Sequence, residues 1–252
     1  RRQRQMCIRD RFGIKEFYNY VKKKNSKVND QIKEVKKSLE QAREQNNQDA
    51  TEDLQKELNA LNSKIFKPIF GCEMYVAKES LHTHVDKKDT GRHLVVLAKN
   101  ETGYHNLVKI VSQAWTEGFY SHPRTDKKAL AEHHEGLIVC SACLGGEIPR
   151  LIQAGDIEEA EKQVKWFKDT FGDDYYIEIQ RHKTNLPGAN TEVFERQQEV
   201  NPELIRIARK FDIKIVATND VHFVNEDDAD AHDRLICVST NKAVDDLSLI
   251  HI

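Results

Sequence analysis

The strongest constraint on this chain is an alternation that begins near residue 68, in which short apolar runs are each followed by a segment with helical apolar spacing. The runs at 68–76, 93–98, 136–140, 175–180 and 213–218 have strand length, and helical periodicity follows near 102–115, 147–154, 157–171, 202–211 and 227–238. Such alternation predicts parallel βαβ units and an α/β fold, because a parallel strand pair needs a crossover long enough to hold a helix. Asn201-Pro202, followed by Leu204, Ile205, Ala208 and Phe211, predicts a helix that starts at the proline. The polar stretch from Arg181 to Glu199 reads as a long loop.

Upstream the pattern differs. Ile14, Phe17, Tyr18 and Val21 predict an amphipathic helix over 12–21. Residues 29–63 are rich in Lys, Glu and Gln, with Ile32, Val35, Leu39 and Ala42 on one stripe and Leu54, Leu58 and Leu61 on another. The polar NNQDAT run separates the two stripes, which predicts a helical hairpin inserted at the surface, with a partner-binding coiled coil as the second reading. The opening RRQRQMCIRD and closing LSLIHI read as adapter-like, non-native tails over 1–11 and 247–252. Residues 1–11 carry five Arg and one Asp, so the rest of the chain has a formal charge of about −6 rather than −2. An acidic domain binds nucleic acid poorly without a local basic patch, so any DNA contact has to be local. There is no apolar run of the ~18–20 residues that span a bilayer, and no membrane association is expected. Five sparse cysteines exclude a disulfide scaffold and fit a cytoplasmic location with free thiols or a metal ligand.

In α/β folds functional side chains gather where strands end. Glu73 sits in an apolar strand, where a carboxylate is costly unless paired, protonated or bound to metal; an exposed edge position is the alternative. His93 enters the next strand, either as a hydrogen-bonded core residue or as a ligand. Cys140-Ser-Ala-Cys143-Leu-Gly145-Gly146 runs from a strand into a turn, which suggests Cys140 as buried packing and Cys143 as the candidate ligand. Asp220 and His222 are two apart, so a continuing strand would aim both to one side; a helix-capping turn is the alternative. Imidazole, carboxylate and one thiolate together lean toward zinc.

KPIFGCEMYVA, RHLVVLAKNETGYHNLVKIVS, WTEGFYSHPRTD, EGLIVCSACLGGEIPRLI, TNDVHF and DADAHDRLICVST resemble, in order, the landmarks of the PHP domain family found at the start of the alpha subunit of bacterial DNA polymerase III. The similarity runs from about residue 12 to 246, interrupted mainly by the 29–63 insertion, so 12–246 is expected to be a partial PHP domain. It implies a distorted (β/α)7 barrel, here lacking its first strand or strands, with up to three metal ions at the strands' C-terminal mouth. By position Glu73 corresponds to a bridging carboxylate, His93 and Cys143 to the next two ligands, and Asp220 and His222 to the terminal, catalytic pair. Arg124, in SHPRTD, is the candidate phosphate contact.

Two early family motifs, His-x-His and Asp-His-Gly, have no counterpart before residue 12, so a truncated, inactive site is expected. His82-Thr-His84 has the right letters but the wrong order, and His133-His134, His232 and Asp233 read as structural. The implied cofactor is a divalent metal, zinc foremost, with manganese or magnesium as alternatives. For the parent protein the resemblance implies DNA-directed DNA synthesis, with DNA and the other holoenzyme subunits as partners. The PHP part would serve as a 3′–5′ exonuclease-type phosphoesterase or as a scaffold; a freestanding PHP phosphatase is the alternative.

Overall fold

The computed structural model describes residues 12–83, 90–183, 191–222, 225–240 and 243. Both stretches read as tails lie outside the described residues. The chain divides into two compact units, residues 11–69 and the residues from Phe70 onward.

The first unit is a helical hairpin of α1 (Phe12–Glu44) and α2 (Gln48–Ser63). The helix expected at 12–21 and the limb expected from residue 29 are one continuous helix, because residues 22–30 hold no glycine or proline to interrupt it. Asn46 takes a left-handed conformation in the turn, which asparagine tolerates better than most residues. Asn47 then caps α2 by accepting the Ala50 N–H at 3.1 Å. Ile32, Val35 and Leu39 pack against Leu58 and Leu61, so the two sequence stripes face each other. Asn25 ties the exit of the hairpin back to α1, donating to the Phe66 carbonyl at 2.8 Å and accepting the Phe66 N–H at 3.0 Å.

The second unit is a mixed α/β layer structure. Its strands are β1 (Gly71–Val76), β2 (Arg92–Ala98), β3 (Phe119–Tyr120), β4 (His122–Thr125), β5 (Leu137–Cys140), β6 (Tyr175–Gln180) and β7 (Lys214–Thr218). Between and after them lie α3 (Glu101–Thr116), α4 (Lys127–Glu132), α5 (Glu147–Gln153), α6 (Ile157–Phe171), α7 (Glu192–Lys210) and α8 (Ala229–Thr240). The sheet order is β3-β4-β1-β2-β5-β6-β7.

The all-parallel expectation needs correction. β2 runs antiparallel to both β1 and β5, whereas β1–β4, β5–β6 and β6–β7 are parallel. No helix lies between β1 and β2 among the described residues, so the chain returns directly beside the strand it left. Sequence reading also missed β3, β4 and α4, which are too short to show a period.

Strand alternation sorts the side chains. Cys72, Met74 and Val76 of β1, Leu94 and Val96 of β2, Leu137 and Val139 of β5, and Tyr175 and Ile177 of β6 enter one core with Ile110 of α3, Phe167 of α6 and Ile207 of α7. By the two-residue period, Glu73 and Tyr75, His93 and Val95, and Glu178 and Gln180 face the other way.

The proline start assigned to the helix at 202 is also corrected. α7 begins at Glu192, inside the stretch read as loop, and Pro202 lies within it. Proline withdraws one N–H from the helix ladder. Two buried polar side chains in the preceding turn anchor the helix across that gap: Asn201 Nδ2 donates to the Gln180 carbonyl at 2.9 Å, and Gln197 Oε1 accepts the His182 N–H at 2.7 Å. Among the described residues no helix is long and apolar enough to cross a membrane.

Candidate metal centre

β1 and β2 set the first two side chains. Their register places Tyr75 opposite His93 and Glu73 opposite Val95, so Glu73 and His93 are diagonal neighbours on one face. Glu73 Oε1 lies 2.8 Å from His93 Nδ1. Both side chains are largely withdrawn from solvent, at 17% and 30% exposure, which removes the exposed-edge reading of Glu73. Tyr75 packs edge-on against the His93 ring and restricts its swing.

The third side chain arrives from the turn after β5. Ala142 adopts a left-handed conformation at φ 63°, a sparsely populated state for a residue with a Cβ, and it turns Cys143 back over β2. Cys143 Sγ lies 3.4 Å from His93 Nδ1 and accepts the Gly145 N–H at 3.4 Å. The Gly145 carbonyl in turn accepts the His93 backbone N–H at 3.1 Å. Cys140, by contrast, is buried strand packing, as expected.

One ligand atom from each of Glu73, His93 and Cys143 lies within 4.8 Å of the others. Zinc bonds of about 2.0–2.3 Å in a tetrahedron put ligand atoms about 3.3–3.8 Å apart, so the trio fits an ion after a small opening of the Glu73–His93 pair. Burial, reinforced by the Asp220 charge, pushes the Cys143 thiol up to about 12 despite the Gly145 N–H, so without an ion it stays protonated at neutral pH.

Asp220 and His222 form a separate pair. β7 ends at Thr218 and Asp220 is left-handed at φ 45°, so the expected strand continuation is not how the pair forms; a turn brings Asp220 Oδ1 to 3.6 Å from His222 Nε2. Burial raises the Asp220 carboxyl, but the hydrogen bond and charge of His222 outweigh burial and hold it below its usual value. His222 is raised by its bond to Asp220, against burial, and Glu73 adds to the rise. The ligand atoms of Asp220 and His222 are not among those that converge within 4.8 Å, so the structure brings together three of the five expected site residues and pairs the other two with each other.

The other candidates lie elsewhere. Arg124 is fully buried in β4, donating to the Thr83 carbonyl at 3.3 Å with its guanidinium 5.4 Å from the Tyr120 ring centre. That placement leaves no exposed edge for a phosphate and does not support the contact expected of it. His82 is exposed and 3.7 Å from Glu117, apart from the trio, and His84 lies outside the described residues. His134 bonds the Ala131 carbonyl at a helix end. The His232 ring lies 5.6 Å from that of His222, closer to the site than a remote structural residue would be.

Sequence reading missed a row of polar residues on and just past β6: Glu178, Gln180 and His182. Glu178 is bonded through its side chain by Thr218 and Gln180, and its own N–H donates to Ser141 Oγ at 2.8 Å. Burial raises the Glu178 carboxyl, its two hydrogen bonds oppose that, and the Asp220 and Glu73 charges add to the rise. The signal was available in the two-residue polar period that opposes Tyr175 and Ile177.

The sequence profile of the PHP domain matches residues 2–182. The chain is similar to the DNA polymerase III subunit alpha of Borreliella burgdorferi, 44% identical over 176 residues, of Treponema pallidum, 42% over 179, and of Thermus aquaticus, 44% over 183. These alignments cover 69%, 70% and 71% of this chain. The chain spans about 14% of the length of these relatives.

Proposed function

The chain belongs to the PHP domain family, and on that footing we propose that it is the metal-binding PHP portion of a bacterial replicative DNA polymerase, the alpha subunit of DNA polymerase III. The observation that carries the metal-binding reading is the convergence of Glu73, His93 and Cys143 from a strand, the next strand and a distant turn. A freestanding phosphatase would not account for relatives at 42–44% identity that bear the polymerase subunit's name. In the parent protein the domain would lie, in the cytoplasm, with the machinery that copies DNA, and its partners would be DNA and the other subunits. Its strand-end site and mixed sheet are compatible with a barrel of the PHP type.

The donor set favours zinc over manganese or magnesium, because a thiolate suits the softer ion. Glu73 would supply a carboxylate oxygen, His93 a ring nitrogen freed of its bond to Glu73, and Cys143 a sulfur freed of its proton. A bound divalent ion supplies positive charge that polarises a phosphoryl oxygen and makes water a stronger nucleophile. Asp220 and His222, paired with each other, would hold the proton and charge balance at its open side. Multi-ion hydrolysis of a DNA end needs more ligands than these five among the described residues, so this chain would hold one ion and leave DNA intact.

Metal analysis of the purified chain, with a 3′-labelled primer assay, tests the reading. About one zinc per chain is expected, lost in Glu73→Gln, His93→Ala and Cys143→Ser, with no primer degradation. An absence of bound metal would overturn the site. Metal-dependent degradation abolished by Asp220→Ala would overturn the one-ion reading.

A further inference from the structure

Gln197 is almost wholly buried in α7, at 2% exposure, and spends both ends of its amide on one residue of the loop after β6. Its Oε1 accepts the His182 backbone N–H at 2.7 Å, and its Nε2 lies 2.9 Å from His182 Nδ1. The first bond fixes the amide orientation, since only an oxygen can accept from a backbone N–H. The second then has to be a donation from Gln197 to an unprotonated Nδ1. His182 is thereby held as the Nε2–H tautomer, and Nε2 lies 2.9 Å from the Asn219 carbonyl, to which it donates.

That carbonyl belongs to the peptide unit that leads into Asp220. Asp220 is a non-glycine residue at φ 45°, a conformation that costs free energy and persists only where its surroundings determine it. Rotation of the Asn219–Asp220 peptide is one escape from it, and the bond from His182 to the Asn219 carbonyl opposes that rotation. We infer that His182, with Gln197 behind it, is a positioning residue that locks this peptide and so holds the Asp220 carboxylate on His222, where its charge can act on an ion at Glu73, His93 and Cys143. The inference rests on the proposed metal site. Neither ring nitrogen of His182 is left to bind an ion, which separates this role from that of a further ligand. Gln180 supports the same limb one step back, donating to Thr218 Oγ1 at 3.1 Å.

Zinc affinity of the whole chain, read by competition with a chromophoric chelator, tests this in Asp220→Asn, His182→Ala, His182→Gln and the double variant His182→Ala/Asp220→Asn, with apo melting temperatures alongside. The expected result is a loss of about tenfold in Asp220→Asn, a loss of similar size in His182→Ala, and no further loss in the double variant, since residues that act through one another are not additive. Glutamine at 182 carries an amide that can donate to the Asn219 carbonyl, so His182→Gln should recover most of the affinity. Full affinity in His182→Ala, additive losses in the double variant, or an apo melting point that falls in step with affinity and is not rescued by glutamine would each overturn the positioning role while leaving the metal site standing. If Asp220→Asn binds zinc normally while Glu73→Gln does not, Asp220 lies outside the ion's sphere and the positioning role is wrong. If the unmodified chain binds no zinc, the metal reading itself fails and takes the role with it.

Discussion

The backbone of Gly145 lies against the face of the His93 ring so closely that a Cβ at that position would sit 2.9 Å from Nδ1 and 3.1 Å from Cε1. The contact is to ring atoms that have little room to retreat, because Tyr75 packs on the ring and the His93 N–H is bonded to the Gly145 carbonyl. Gly145→Ala should therefore rotate His93 out of line with Glu73 and Cys143. Zinc affinity measured by chelator competition should fall at least about tenfold, with a stability loss of roughly 1–3 kcal/mol from overpacking. Unchanged affinity would show that the ring can yield without leaving the site.

Zinc uptake should release a proton from Cys143. Burial and the Asp220 charge hold its thiol at about 12, far above neutrality, while the bound form of the ligand is the thiolate. Between pH 7 and 9, apparent affinity should rise about tenfold per pH unit from this group alone. Stopped-flow zinc addition in weak buffer with an indicator dye should record the proton, and Cys143→Ser should abolish the burst.

Glu178 should set a pH dependence of stability in the apo chain. Its carboxyl is raised above the ordinary value of 4.5, with burial as the largest cause, so folding favours its protonated form. The resulting penalty is absent below the unfolded value, grows as pH rises from there through the folded value, and is constant above it. Glu178→Gln, which keeps the shape and can still accept from Thr218, should raise the urea midpoint at pH 7–8 and leave it unchanged near pH 3. An equal gain at both pH values would assign the effect to packing instead.

The helical hairpin has a core that shares no residue with that of the α/β unit. Leu39→Ala should cost the hairpin about 2–4 kcal/mol, as buried Leu-to-Ala changes do. Zinc affinity should stay within about twofold, since the centre is built entirely from the other unit. Amide hydrogen exchange, compared between residues 12–63 and β1–β2, would locate the loss.

Long periodic segments were legible in the sequence. The strand at Tyr175–Gln180 and the helix at Ile157–Phe171 fall where the apolar pattern put them, because burial of one face imposes the period. β2's direction was not legible, since alternation records which residues are buried and not which way a neighbouring strand runs. Pro202 misled because it usually marks a helix start; here two polar residues with non-local partners carry the helix through it. Glu73, His93 and Cys143 could be named from strand-end chemistry and from resemblance. His182 could not, because its role depends on Gln197 and Asn219, 15 and 37 positions away.

Among the described residues β7 pairs with β6 and with no strand on its other side, and its side chains are largely open to solvent. A strand in that position frays first, since only one ladder of bonds holds it. Glu73 and His93 thus stand on strands inside the sheet, whereas Asp220 and His222 follow an edge strand. An ion at the centre would still have to break its bonds to β1, β2 and the Cys143 turn, so fraying of β7 would loosen the Asp220–His222 pair while the ion stayed bound. Amide exchange that is faster in β7 than in β1 and β2, and that zinc slows only in β1 and β2, would be the kinetic trace of that asymmetry.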